Sequence, residues 1–101
     1  MQRKILFAAL IAASPLSTFA QSADQVAGRN LASACAICHG TDGRSAGGNE
    51  PLAGMARDEM VRKLNEFRTG AKPATIMHQI SKGYTDQQIA QIAAFFAAQR
   101  K

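Results

Sequence analysis

The run Cys35-Ala36-Ile37-Cys38-His39 holds both cysteines of this 101-residue chain and one of its two histidines. Two thiols three positions apart lie about one helical turn from each other, and an imidazole follows directly. C-x-x-C-H is the covalent attachment pattern of a c-type haem. The spacing has a physical reason. Each thiol reaches one vinyl group of the porphyrin, and the imidazole of His39 is left pointing at the iron. Three other readings compete. A redox-active C-x-x-C wants a βαβ setting, which the sequence lacks. A structural zinc needs four ligands, and Cys35, Cys38, His39 and His78 are the soft candidates, with adjacent Cys38 and His39 awkward on one tetrahedral ion. The third is a chance match.

The N-terminus bears on the choice. Arg3 and Lys4 are followed by nine apolar residues, 5–13, and Thr18-Phe19-Ala20 places small residues where a signal peptidase reads. Residues 1–20 are therefore expected to be a secretory signal peptide cleaved after Ala20. The apolar run falls short of the roughly 20 residues a bilayer span requires, so no membrane span is expected in the mature chain. Export to the periplasm agrees with covalent haem attachment, which takes place outside the cytoplasm in bacteria.

The mature chain, residues 21–101, carries ten basic and seven acidic residues, a net +3 in place of the +5 of the whole chain. Only seventeen of its side chains are large and apolar. Domains this small rarely draw more than about 3–5 kcal/mol from packing and usually carry a staple. A disulfide between cysteines three apart closes too small a loop to serve. Read as haem attachments, the same cysteines supply the staple, because the porphyrin completes the core.

Outward from the motif, periodicity predicts an all-α chain of about four helices and one long loop. The first helix is expected over residues 24–36, capped by Asp24, with Gly28 inside it at a cost of about 1 kcal/mol. Residues 40–54 hold five of the eight glycines and Pro51 and read as a loop. A second helix fits residues 57–69, with Met60, Leu64 and Phe67 on one face and Gly70 as its stop. A short helix is expected over residues 75–82, ending at Gly83. Thr85-Asp86-Gln87-Gln88 is a capping box that opens the last helix, with a stripe of Ile89, Ile92, Ala93 and Phe96.

His39 supplies one axial ligand. The other candidates are Met55, Met60, Met77 and His78. Met60 suits core packing, and Met55 borders the loop. Met77 lies 38 residues after His39, past the second helix, where a returning chain meets the opposite face of the porphyrin; it is the favoured ligand. His78 is the sharpest rival, though its ordinary place is the surface. Methionine raises the reduction potential and suits electron transfer, whereas an open position suits gas binding or peroxide chemistry.

Beyond the haem motif, Gly40-Thr41-Asp42-Gly43, Leu52-Ala53-Gly54, Ala74-Thr75-Ile76-Met77 and Lys82-Gly83-Tyr84-Thr85-Asp86 lead into Ile92-Ala93-Ala94-Phe95-Phe96. On these residues the chain from about Val26 to Ala98 resembles a class I c-type cytochrome. It looks most like the monohaem cytochrome subunit of sulfide dehydrogenase (flavocytochrome c) and the halves of related dihaem cytochromes. The resemblance implies one covalent haem c, Met77 as the distal ligand, and a crossing of the first and last helices near Gly28 and Phe95. It also implies that a backbone carbonyl before Leu52 accepts a bond from His39. In the relatives a proline two residues before that leucine supplies it. Here Pro51 is adjacent to Leu52 and Glu50 holds the expected place, so the choice near Glu50-Pro51 stays open.

The function expected is single-electron transfer by a periplasmic monohaem cytochrome, with substrate chemistry left to a partner. The expected partner is a sulfide-oxidising flavoprotein subunit; a free carrier serving an oxidase or reductase is the alternative. An open-site haem sensor or peroxidase is the alternative of another class. The basic residues are scattered as solvated surface, with few aromatics among them, and give no nucleic-acid footprint.

Overall fold

The computed structural model describes residues 4, 5, 7–15 and 21–101. Arg3 of the expected leader and its cleavage residues Thr18, Phe19 and Ala20 lie outside the described residues. Ile5, Phe7, Leu10 and Ile11 are 76–94% exposed and take no part in the core. Among the described residues there are five α-helices and no strand: α1 (Ala23–Ala32), α2 (Ala36–His39), α3 (Arg57–Thr69), α4 (Met77–Lys82) and α5 (Asp86–Ala97). A 3-10 turn over Ser33–Cys35 joins α1 to α2, and a second covers Thr41–Gly43. The four longer helices are the expected ones, and α2 is the single turn that carries the motif.

The first helix differs from expectation at both ends. Its cap is Ser22, not Asp24. The Ser22 hydroxyl accepts from the Gln25 amide at 3.2 Å while the Gln25 side chain accepts from the Ser22 amide at 3.0 Å. Asp24 instead sits in the first turn and accepts from Gln91 Nε2 of α5 at 2.9 Å. At the other end the α-winding stops at Ala32. The Ser33 hydroxyl donates to the Asn30 carbonyl at 2.6 Å, and the backbone tightens without leaving the right-handed helical region. The chain from Ala23 to His39 thus runs helically with one tightened turn just before the motif.

The remaining helices are built as their local sequence dictates. Asp58 and Glu59 stand in the first turn of α3 and Arg68 in its last, matching the dipole. Gly70 closes it in the left-handed region at φ 82°. Thr85 and Gln88 form the expected box at the start of α5. α4 begins two residues later than expected, at Met77, because Ile76 is off-helical with φ −136°.

α5 is the central element, packed on α1 and α3. Gly28 sets the distance to α1: a Cβ there would stand 2.5 Å from the Gln91 carbonyl oxygen. The long loop is tied to α5 as well, since the Gly54 amide donates to the Phe96 carbonyl at 2.8 Å. The buried hydrophobic residues among those described are Ala32, Ala53, Met60, Ile89, Ile92, Ala93 and Phe96. Three of the seven are alanines, so protein atoms alone make a small core. Leu31, Cys35, Leu52, Met55, Val61, Leu64, Tyr84 and Phe95 pack on it only half-buried.

Candidate haem site

The tightened turn and α2 bring Cys35, Cys38 and His39 together on one short stretch. Cys35 is half-buried against the core and Cys38 is exposed, both as free thiols. Burial, helped by the neighbouring Cys38, raises the pKa of the Cys35 thiol. Ile37 between them is 90% exposed.

His39 is oriented by the loop. Its Nδ1 lies 2.6 Å from the carbonyl oxygen of Glu50. A carbonyl only accepts, so Nδ1 carries the proton, and in the neutral ring Nε2 keeps its lone pair. This is the tautomer a metal-bound histidine needs. The carbonyl left open by the sequence is therefore that of Glu50, not of Pro51. Next to it, Asn49 Nδ2 donates to the Cys38 carbonyl at 2.8 Å, so two consecutive loop residues hold the last two residues of the motif. The Glu50 carboxylate in turn meets the Lys63 ammonium of α3 at 2.5 Å, and Lys63 also pairs with Glu59 at 3.3 Å. Hydrogen bonding to Glu50 is the chief reason the Lys63 pKa lies above its ordinary 10.5.

Met77 opens α4, which packs on α3 rather than on the motif turn. It is half-buried. Its rivals are placed differently. Met60 is buried in the core, as expected, and Met55 packs half-buried against the core's edge. His78 is not the surface residue the sequence suggested. It is half-buried, its Nδ1 has no hydrogen-bond partner among the described residues, and it lines a concavity of about 280 Å³ with Lys72, Pro73 and Lys82 at the end of α3. Adjacent helical residues point about 100° apart, so Met77 and His78 do not serve one ligand position together. Sequence reasoning missed Asn49 and Lys63. Glu59 and Lys63 share an i,i+4 spacing that was legible, but nothing in the sequence links Lys63 to a loop residue thirteen positions earlier.

These residues fit a haem. The donor set is two free thiols and an imidazole with Nε2 available. The half-buried apolar side chains around a small core are ones a flat apolar group would cover. Ile76 and Ile80, beside Met77, remain 57% and 40% exposed. A separate concavity of about 640 Å³ lies between α1 and α5 and includes none of the motif residues.

The sequence model of the family described as Cytochrome c matches residues 25–99. The chain belongs to the cytochrome c family. A cytochrome c domain carries covalently bound haem c, and here Cys35, Cys38 and His39 form the one stretch with its attachment pattern. The all-α fold is that of the class I cytochromes c. Among curated relatives, the chain is similar to cytochrome c4 of Pseudomonas aeruginosa, at 35% identity over 78 residues, covering 76% of this chain and 39% of that protein. It is similar to the cytochrome subunit of sulfide dehydrogenase of Chlorobaculum tepidum, at 36% identity over 69 residues, covering 68% of this chain and 63% of that protein. It is similar also to cytochrome c-554(548) of Halomonas halodenitrificans, at 31% identity over 80 residues, covering 75% of this chain and 96% of that protein. The chain thus spans less than two thirds of the first two and nearly the whole of the third. No helix among the described residues of this cytochrome c is long and apolar enough to cross a membrane.

Proposed function

We propose that this cytochrome c is a periplasmic single-electron carrier with one haem, held by thioethers from Cys35 and Cys38 and ligated axially by His39 and Met77. The observation that carries the reading is the 2.6 Å bond from His39 Nδ1 to the Glu50 carbonyl, which commits one ring nitrogen and leaves the other for iron. When bound, haem supplies an iron centre that alternates between ferric and ferrous states. The chain's residues do the rest. The two cysteines fix the group in place. Leu31, Leu52, Leu64 and Tyr84 form part of the half-buried apolar shell that limits water. With His39 and Met77 both on the iron, the haem would offer no open position to a substrate.

Residues 1–20 serve in this reading as a signal peptide removed after Ala20, supported by the exposure of Ile5, Phe7, Leu10 and Ile11. The mature N-terminus is then Gln21, which mass spectrometry of the secreted protein checks. The donor proposed is a sulfide-oxidising flavoprotein, in keeping with the similarity to a sulfide dehydrogenase cytochrome subunit. Co-purification with such a flavoprotein separates this from a free carrier. The axial ligation is tested by Met77→Ala. Loss of the methionine-to-iron charge-transfer band, with gain of carbon monoxide binding in the ferrous form, is the expected outcome. An unchanged spectrum with no carbon monoxide binding refutes it, and a low-spin spectrum that lacks the methionine band moves the ligand to His78.

A further inference from the structure

We infer that Lys63 is a positioning residue for His39: by clamping the Glu50 carboxylate onto α3, it holds the Glu50 carbonyl at the histidine Nδ1–H. The inference rests on the reading of His39 as an iron ligand and deepens it.

Three observations meet at Glu50. Its carbonyl accepts from His39 Nδ1 at 2.6 Å. Its carboxylate reaches Lys63 Nζ at 2.5 Å. Its neighbour Asn49 binds the Cys38 carbonyl at 2.8 Å. Glu50 is therefore a junction between the motif turn and α3. The side chain of Lys63 is only 16% exposed, whereas those of Glu50 and Glu59 are 50% and 45% exposed. The Lys63 side chain is thus the anchored member, packed along its stem and held to its own helix through Glu59 one turn earlier, and the loop is what it pins. The loop needs pinning. Gly47 and Gly48 immediately precede Asn49 and have no neighbours among the described residues within 4 Å of where a Cβ would stand, so nothing described packs on that side of the loop to fix it. A proline at position 50 would set its own φ; a glutamate does not, and the ion pair takes over the task.

The consequence is electronic as well as geometric. A well-placed acceptor behind the imidazole makes it a stronger donor to iron and favours the ferric state. Loss of the clamp weakens that bond and raises the reduction potential. The simple loss of a positive charge near the iron does the opposite, because it favours the ferric state and lowers the potential. The sign of the shift therefore separates a positioning role from a charge effect.

The test uses the full holo-protein with Lys63→Met and Lys63→Arg. Two quantities are read: the hydrogen–deuterium exchange of the His39 Nδ1–H, by NMR of the ferrous form, and the reduction potential. The clamp predicts exchange about tenfold faster in Lys63→Met, the factor carried by a hydrogen bond of ordinary net strength, with a rise in potential, and restoration of both by Lys63→Arg. Unchanged exchange, or a potential that falls, overturns the inference while leaving His39 as the ligand. Absence of any iron-bound imidazole signal in the wild type overturns the reading of His39 and the clamp with it. If Lys63→Met accumulates no holo-protein, Glu50→Ala cuts the same link and keeps the carbonyl. It must then show the faster exchange, and normal exchange there overturns the inference.

Discussion

At Glu50 the backbone and the side chain do separate work. The carbonyl orients His39, and the carboxylate ties the loop to α3. The first role survives replacement of the proline that the family resemblance places there, because any residue has a carbonyl. For the same reason the sequence left the acceptor open between Glu50 and Pro51: a backbone acceptor carries no side-chain code. The attachment pattern was legible because that chemistry needs particular side chains at fixed spacing. Lys63 was not, because its partner is distant in sequence and only the fold joins them. A pH dependence belongs at this scale. The Lys63 pKa is raised above 10.5, first by its hydrogen bond to Glu50. A raised lysine pKa means its stabilisation is fully present below about 10.5, the unfolded value, and is lost as pH rises through the higher folded value. Chemical denaturation of the wild-type holo-protein between pH 10 and 12 should therefore show a steeper loss of stability than Lys63→Met. Parallel curves would show that the ion pair contributes nothing to folding.

Among the helices, α3 and α5 were read correctly from local signals. The acidic first turn, the closing Gly70 and the Thr85–Gln88 box all act within a few residues of the helix end. Thr85→Ala should cost about 1 kcal/mol, the usual worth of such a cap, seen as a lower midpoint in urea with unchanged slope. The ends that were misjudged depend on choices between similar neighbours. Ser22 and Asp24 both make caps, but Ser22 has Gln25 three residues on to complete a reciprocal pair. The helix α1 ends early where the Ser33 hydroxyl turns back onto the Asn30 carbonyl. Gly28 was the costly residue in the sequence, and the packing explains it: α1 and α5 approach so closely that a methyl group would collide with the Gln91 carbonyl. Gly28→Ala gains helix propensity yet should lose a net of about 1–3 kcal/mol, because overpacking at a backbone contact outweighs it. Thermal unfolding of the variant holo-protein reads this directly, and an unchanged midpoint would mean that the two helices have room to separate.

Over the whole molecule, the balance of apolar side chains decides what the chain needs. Three of the seven buried hydrophobic residues among those described are alanines, and most of the larger apolar ones are only half-covered. This shortage was visible in the composition, but what fills it was visible only through the cysteine spacing. The porphyrin is accordingly expected to be part of the core. The double variant Cys35→Ala with Cys38→Ala, lacking attached haem, should give no cooperative thermal transition by circular dichroism. A sharp melt from the haem-free variant would show that the protein atoms suffice. The central claim is the proposed pair of axial ligands, His39 and Met77, on which the reading as a carrier, and not a sensor or peroxidase, rests. The ferric absorption spectrum of the wild-type protein, recorded through a redox titration, tests it most directly. A low-spin spectrum with the methionine-to-iron band and a positive potential is the predicted result, and high-spin iron would contradict it.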